Sequence, residues 1–240
     1  MSERRDPLGG LAAASIQARW NVTQMLRGRL VWVACVFAML PPAYTFLASA
    51  NGANDWADIF GSLILMVGVV APLFMASSLA EEIEDRTYTY LWSRPVPRWS
   101  VVMGKLVASI PIAGGLCALS LVACHMFFPG GAGAGLARGI GSLIAGTIAA
   151  CAVSSGLAIL FPRFGLGLTY AYLLAIDLPV GQVPFSIRNL SITQQIRVVA
   201  GASDAAPLWR ALVWLAVVSA LWLAVAFLRL RRAEFSSGEK

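Results

Sequence analysis

Charged side chains are scarce in this sequence: 12% of its 240 residues are Asp, Glu, Lys or Arg, whereas 58% are hydrophobic. Ordinary soluble domains carry about 25% charged and roughly 45 to 50% apolar residues. The apolar residues here fall into uncharged blocks of about 20, the length of a helix that crosses a hydrocarbon core of about 30 Å. These blocks exclude a soluble domain and predict a membrane protein.

Ligands for metals and haem are also few. The sequence contains one histidine, His125, and four cysteines, and no zinc or haem spacing. Cys124, His125 and Met126 are consecutive, so on a helix their side chains point about 100° apart and cannot converge on one ion. No metal or cofactor is therefore expected in this chain. The cysteines all lie in apolar blocks, which predicts free packing thiols: Cys35, Cys117, Cys124 and Cys151.

A phosphate-binding loop is missing as well. The one Gly-Lys pair, Gly104 and Lys105, has no glycine five residues earlier and no Ser or Thr after it. We therefore expect that the chain is not an ATPase or another enzyme. Its basic residues cluster beside the ends of apolar blocks and do not form a stripe with aromatic residues, so we expect a lipid bilayer and not nucleic acid as the partner.

What the sequence does contain is six long apolar blocks, which predict an all-α membrane protein with six transmembrane helices. The predicted spans are 30–48, 58–80, 104–128, 138–161, 164–184 and 208–228. Fourteen of the 18 lysines and arginines fall on one side of this arrangement, which places both termini and the 81–103 loop in the cytoplasm. Five arginines precede the first span and no small-residue cleavage site follows, so we expect that span to be retained as an anchor. A bacterial inner membrane is the expected location.

The N-terminal segment, residues 1–29, is predicted to hold a helix over 11–28 that lies on the inner membrane surface. A disordered basic tail is the alternative for this segment. The two faces of the predicted helix differ in polarity, with Ile16, Trp20 and Thr23 on one and Gln17, Asn21 and Gln24 on the other.

The segment between spans two and three is rich in carboxylates and aromatic residues. Four carboxylates would oppose the helix dipole at the end of span two but favour the start of a new helix: Glu81, Glu82, Glu84 and Asp85. We therefore predict a restart near Ile83. Pro95 and Pro97 would end that helix. Two apolar faces on a short cytoplasmic helix suggest a docking site for a protein, the alternative being a solvated mixed-charge connector.

This stretch, EEIEDRTYTYLWSRPVPRWSVVMGK, resembles the signature loop of ABC-2 type permeases. Arg86 stands where many relatives have glycine. The matching residues are Glu82, Glu84, Thr87, Leu91, Arg94, Pro95, Val96, Arg98, Gly104 and Lys105.

The resemblance implies that residues 1–240 form one transmembrane domain of an exporter, in which this loop is a coupling helix. It implies a separate ABC ATPase subunit that binds ATP and Mg²⁺, and a homodimer of this permease in a 2+2 complex. A membrane enzyme, a metal- or cofactor-handling membrane protein and a secondary transporter are the alternatives. The residues expected to couple to the ATPase are Glu81, Glu82, Glu84, Thr87, Tyr88, Leu91, Arg94, Pro95 and Arg98.

Three features lie away from that loop. Asp177 is the one carboxylate well inside an apolar block, and we expect it either to line the substrate pathway or to cap the outer end of span five. The outer loop, 185–207, is apolar enough to dip back toward the bilayer as a gate. Small residues at helical spacing mark packing surfaces, within one subunit or across a dimer: Gly141, Ala145 and Ala149, and Gly167, Ala171 and Ala175.

Overall fold

The computed structural model describes residues 10–51, 56–84, 98–127, 135–183, 186–203 and 206–236, and all regular structure within these ranges is helical. Three consecutive helical elements, Gly165–Tyr170, Ala171–Asp177 and Leu178–Val180, follow one another without a break, and we call them together the composite helix, Gly165–Val180. The elements are α1 (Gly10–Arg27), α2 (Arg29–Ala50), α3 (Trp56–Glu84), α4 (Arg98–Phe127), α5 (Leu136–Leu160), α6 (Gly165–Tyr170), a π-helix (Ala171–Asp177), α7 (Leu178–Val180), a 3-10 helix (Ser186–Leu190), α8 (Ile192–Ala200) and α9 (Leu208–Ser236).

Five of these helices are long and apolar enough to cross a membrane: α2, α3, α4, α5 and α9. They coincide with five of the six predicted spans, although α9 continues to Ser236, beyond the predicted end at 228. The remaining prediction, 164–184, corresponds to the composite helix. At about 1.5 Å per residue that helix extends about 24 Å, less than the hydrocarbon thickness of about 30 Å.

Pro179 lies in the last turn of the composite helix. Proline has no N–H for the carbonyl of Ala175, four residues earlier, and its ring crowds that carbonyl. The preceding turns widen into the π-helix Ala171–Asp177, in which carbonyls bond to donors five residues on. A wider turn advances less along the axis, so fewer ångströms are covered before the helix ends at Val180.

The central helix is α5, which packs against α3, α4, α8 and α9. Residues 149–158 of α5 are all buried. Its close contacts lie at three glycines, where a Cβ would come within 3 Å of a neighbour: Gly139 at Leu121, Gly146 at Ile196 and Gly156 at Trp222.

The predicted stripe of small residues on α5 does not coincide with these contacts. Gly141 is exposed and its Cβ position has no atom within 4 Å, whereas Ala149 is buried. The stripe therefore runs from the surface into the core and does not form one packed face. Gly139 and Gly146 lie on another face of the helix, whereas Gly156 is seven residues after Ala149 and continues its buried face.

The bundle has two ends, which the chain connections define. Glu84 and Arg98 mark one, called the 84/98 end below, and Trp56, Leu136 and Leu208 mark the opposite end. The aromatic rings of Phe46 in α2 and Phe127 in α4 meet at the opposite end, with centroids 5.5 Å apart.

The outer surface of the bundle is apolar, as a lipid environment requires. Trp32 on α2 is 76% exposed and Trp209 on α9 is 67% exposed. In water such a continuous apolar surface would be unfavourable, whereas hydrocarbon solvates it without cost.

Candidate functional site

The predicted coupling segment, residues 81–103, is described only at its two flanks, 81–84 and 98–103. Thr87, Tyr88, Leu91, Arg94 and Pro95 lie in 85–97, outside the described residues. The backbones of Glu81, Glu82 and Glu84 form the last turn of α3, and Arg98 begins α4.

The predicted helix restart near Ile83 is wrong, because α3 continues without a break to Glu84. Carboxylates at a helix C-terminus oppose the dipole by only about 0.3 to 1 kcal/mol each where water can screen them. Breaking the helix four residues earlier would give up several backbone hydrogen bonds, each with a net value of about 1 kcal/mol. The backbone ladder is therefore the stronger effect.

Lys105 ties α4 to α3 near the 84/98 end. Its side chain is 1% exposed, and its ammonium donates a hydrogen bond to the backbone carbonyl of Ser78 in α3. The side chain therefore points into the bundle, where the carbonyl of the neighbouring helix lies within its reach.

Gly104, the preceding residue, is where α1 crosses α4. A Cβ on Gly104 would lie 2.9 Å from the Cβ of Gln17 and 3.1 Å from the carbonyl oxygen of Ala14. Adjacent residues on a helix point about 100° apart, so Gly104 faces α1 while Lys105 faces α3. The Gly-Lys pair thus joins three helices at one point, directly after the coupling segment.

The helix predicted over 11–28 is present as Gly10–Arg27, but only part of its polar face is directed to water. Gln24 is exposed, whereas Asn21 is 5% exposed and shares the buried face of α1 with Ala18. The other face is open, with Ile16 58% and Trp20 69% exposed. Gln17 of the polar face packs at Gly104, which has no side chain.

The carboxylate of Asp177 lies at the N-terminus of α8 and is 5% exposed. Its Oδ1 accepts the backbone N–H of Ile192 at 2.8 Å, and its Oδ2 accepts the N–H of Thr193 at 2.9 Å. The hydroxyls of Thr193 and Ser191 also donate to Oδ2, at 2.7 and 3.2 Å. Four donors therefore surround a buried carboxylate, which otherwise would be costly to place there.

Ser191, the residue before α8, caps the same helix end. Its Oγ accepts the N–H of Gln194 at 3.3 Å, and its one hydroxyl proton is shared between the Asp177 carboxylate and the backbone carbonyl of Asp177, which lies 2.9 Å away. The helix ends at Gly201, whose φ of 77° is the left-handed conformation that glycine adopts readily.

Sequence reasoning predicted an outer loop at 185–207 with possible re-entrant helices, but did not locate the helix Ile192–Ala200. The residues that signal it are the S-x-x-Q capping pattern at 191–194 and Gly201 after the helix. Arg138 was also missed as a site residue. Its Nε donates a hydrogen bond to the backbone carbonyl of Val199 at 2.7 Å, and its Nη2 donates a longer one to the backbone carbonyl of Val198 at 3.4 Å.

The predicted small-residue face of the composite helix is open. Gly167, Ala171 and Ala175 are all exposed, and a Cβ on Gly167 would meet no atom within 4 Å. The neighbouring Ile176 is 55% exposed. This face makes no close contact within the described part of the chain.

Cys124, His125 and Met126 lie near the end of α4, and their side chains point in different directions. Cys124 is fully buried while Met126 is 78% exposed, so the two sulfur atoms face different surroundings. Among the described residues no group of three His, Cys, Asp or Glu side chains could hold a metal ion.

Residues 18–172 match the protein family described as ABC-2 family transporter protein. The match covers more than half of the chain and includes α2 to α5, the coupling segment and the Gly-Lys junction. No curated protein matches the chain.

Proposed function

Because this chain belongs to the ABC-2 family of transporter proteins, we propose that it is the permease subunit of an ATP-driven exporter. The family and the five long apolar helices identify a multi-pass membrane protein for transport and not for catalysis. ATP and Mg²⁺ then bind to a separate ATPase subunit. The observation that carries this proposal is that segment 81–105 lies inside the matched residues and ends at the Gly-Lys junction.

The junction supplies a mechanical route from the ATPase to the membrane. Closure of the ATPase on nucleotide would press on the coupling segment. Since Lys105 holds α3 and Gly104 seats α1, the force on α4 would displace three helices as one body. The residues proposed to contact the ATPase are Glu81, Glu82, Glu84, Thr87, Tyr88, Leu91, Arg94, Pro95 and Arg98.

The proposed topology has six crossings, of which the composite helix is the fifth. Fourteen of the 18 basic residues then lie at the 84/98 end, which the positive-inside rule assigns to the cytoplasm. Both termini lie on that side, in a bacterial inner membrane.

A second copy of the permease is the proposed partner for the composite helix. Small residues allow helix backbones to approach closely in lipid, where packing and not the hydrophobic effect drives association. Gly167, Ala171 and Ala175 are available for such a contact because nothing in the described chain covers them. Two permease copies and two ATPase copies would form the exporter.

A secondary transporter is the other candidate class, because Asp177 could bind a coupling ion. Its carboxylate is, however, already engaged by four donors from the start of α8. This occupancy favours a structural role for Asp177 and ATP as the energy source.

Co-purification with a candidate ATPase from a neighbouring gene tests the proposal. Tyr88→Ala and Leu91→Asp should reduce the recovered ATPase about tenfold, as loss of an interface anchor does. The control is Tyr44→Ala, since Tyr44 is an exposed tyrosine on α2 near the opposite end. Undiminished recovery with both loop variants, or transport that continues on a proton gradient without ATP, would contradict the proposal.

A further inference from the structure

Arg197, in the last turn of α8, carries a positive charge that nothing in the described chain compensates. Its Nε is fully buried and has no hydrogen-bond partner there. A charge in low-dielectric surroundings is costly unless an acceptor or an opposite charge lies beside it. The described carboxylates toward this end of the bundle are otherwise placed: Asp177 is engaged by the first turn of α8, and Asp58 is exposed.

The C-terminus of α8 does not use this charge either. A helix C-terminus carries partial negative charge and attracts cations. Here Arg138 of α5 already binds the carbonyls of Val198 and Val199. The carbonyl of Arg197 itself accepts the backbone N–H of Ala202. Since these carbonyls are bonded, the guanidinium of Arg197 remains available for a different anion.

The guanidinium lies beside Gly61 of α3. A Cβ on Gly61 would lie 3.7 Å from Nη2 of Arg197 and would meet nothing else from another helix within 4 Å. Because Nε is enclosed, a ligand can reach the guanidinium only at its Nη groups. Gly61 is partly exposed and has no side chain, which leaves space for that approach. We call this space the Arg197 groove.

The Arg197 groove lies at the depth of lipid headgroups. Helix α3 has 29 residues and extends about 44 Å, which matches a bilayer of about 40 to 45 Å with its headgroups. Gly61 lies about 8 Å along α3 from Trp56, at the boundary between headgroups and hydrocarbon. Leu65, one turn deeper, is 45% exposed, whereas Asp58, one turn nearer the headgroups, presents an exposed carboxylate. The groove is thus flanked by an apolar surface on the hydrocarbon side and by a negative charge on the headgroup side.

We propose that the Arg197 groove binds the headgroup of a zwitterionic phospholipid such as phosphatidylethanolamine. The lipid phosphate accepts hydrogen bonds from the Nη groups of Arg197, whose planar fork suits phosphate oxygens. The ammonium group lies toward Asp58, and an acyl chain runs along Leu65. A lipid with the same phosphate but no ammonium leaves Asp58 without a counter-charge and binds less tightly. This site depends on neither the ATPase nor transport.

Native mass spectrometry of the full chain in detergent measures which lipids it retains. The parent should retain phosphatidylethanolamine but not a diacylglycerol with the same acyl chains, because the diacylglycerol has no phosphate. Arg197→Gln should weaken the retention of phosphatidylethanolamine about tenfold or more, since it removes a charge-assisted hydrogen bond. Arg210→Gln is the matched control, because Arg210 is an exposed arginine of α9 toward the same end. This control should leave retention unchanged.

Two further variants separate the space in the groove from the headgroup charge. Gly61→Leu fills the space beside Nη2 without changing a charge, and should reduce retention as Arg197→Gln does. Gly141→Leu, on the exposed side of α5, is its control. Asp58→Asn should remove the preference for phosphatidylethanolamine over phosphatidylglycerol while both lipids are still retained. Gel filtration verifies that each variant is folded.

Four results would overturn the proposal. Equal retention of phosphatidylethanolamine by the parent and a folded Arg197→Gln variant would exclude Arg197 as its ligand. Equal retention of diacylglycerol by the parent would show that acyl chains bind without the phosphate. Displacement of the lipid by added inorganic phosphate would assign the groove to a soluble anion. Loss of dimers with unchanged lipid retention in Arg197→Gln would assign the anion to a second copy of the chain.

Discussion

The ammonium of Lys105 donates to the backbone carbonyl of Ser78, and so joins α4 to α3, the two helices that flank residues 85–97. A connection between two helices transmits force to both of them only when its two flanks move together. The contact between Lys105 and Ser78 joins the two flanks, so that a force on the coupling segment would move α3 and α4 together.

We predict that Lys105→Met will uncouple ATP hydrolysis from transport. Met keeps much of the apolar stem but removes the donor, so the tie to α3 is lost while the helices remain packed. Transport should fall several-fold relative to ATPase activity in the assembled complex. Lys105→Arg is the matched variant, because it retains a cation with donors. Parallel loss of both activities in a folded Lys105→Met protein would contradict a coupling role.

Gly104→Ala should loosen α1 from α4. Its Cβ would lie 2.9 Å from that of Gln17 and 3.1 Å from a carbonyl oxygen, and neither atom belongs to the flexible end of a side chain. We expect a cost of about 1 to 3 kcal/mol, measured as a lower unfolding midpoint in detergent. Gly115→Ala on the same helix meets nothing within 4 Å and should be neutral or slightly stabilising. Equal changes in the unfolding midpoint for Gly104→Ala and Gly115→Ala would contradict the close contact of α1 with α4 at Gly104.

Ala171→Leu should prevent two permease copies from associating through the composite helix. The larger side chain holds the backbones apart, which removes the close packing that small residues permit. Native gel electrophoresis or single-molecule photobleaching would show monomers. Ala220→Leu, on the exposed side of α9, is the control and should leave the dimer intact. Dimers of the Ala171→Leu variant together with monomers of the Ala220→Leu variant would place the contact on α9 instead.

The cysteines should differ sharply in reactivity. Cys35 is partly exposed, whereas Cys117, Cys124 and Cys151 are buried, and all four are free, as predicted. A small maleimide should modify one thiol per folded chain and four after denaturation, as counted by mass spectrometry. Rapid modification of a second thiol in the folded protein would contradict the packing of α4 and α5.

The apolar blocks predicted the long helices well because bilayer thickness fixes their length and the absence of charge marks their extent. Residue 177 was likewise singled out, since a carboxylate in an apolar block needs partners. Those partners could not be predicted: Ile192 and Thr193 are distant in sequence, and only the folded chain brings their N–H groups to the carboxylate.

Two local features depend on contacts that sequence patterns do not contain. The faces of α1 were separated by polarity, but polarity does not tell whether Asn21 faces water or a helix with a glycine at the contact. The restart near Ile83 followed from charge and helix dipole alone, without the backbone hydrogen bonds that continue α3 to Glu84.

The π-helix Ala171–Asp177 gives the composite helix an adjustable register. One residue fewer in that wide turn would restore ordinary α-helical bonding and rotate everything after it by about 100°. The Asp177 carboxylate would then turn away from Ile192, while the segment before Ala171 kept its place. A single-codon deletion there would thus separate the Asp177 carboxylate from the N-terminus of α8 without substituting any other side chain.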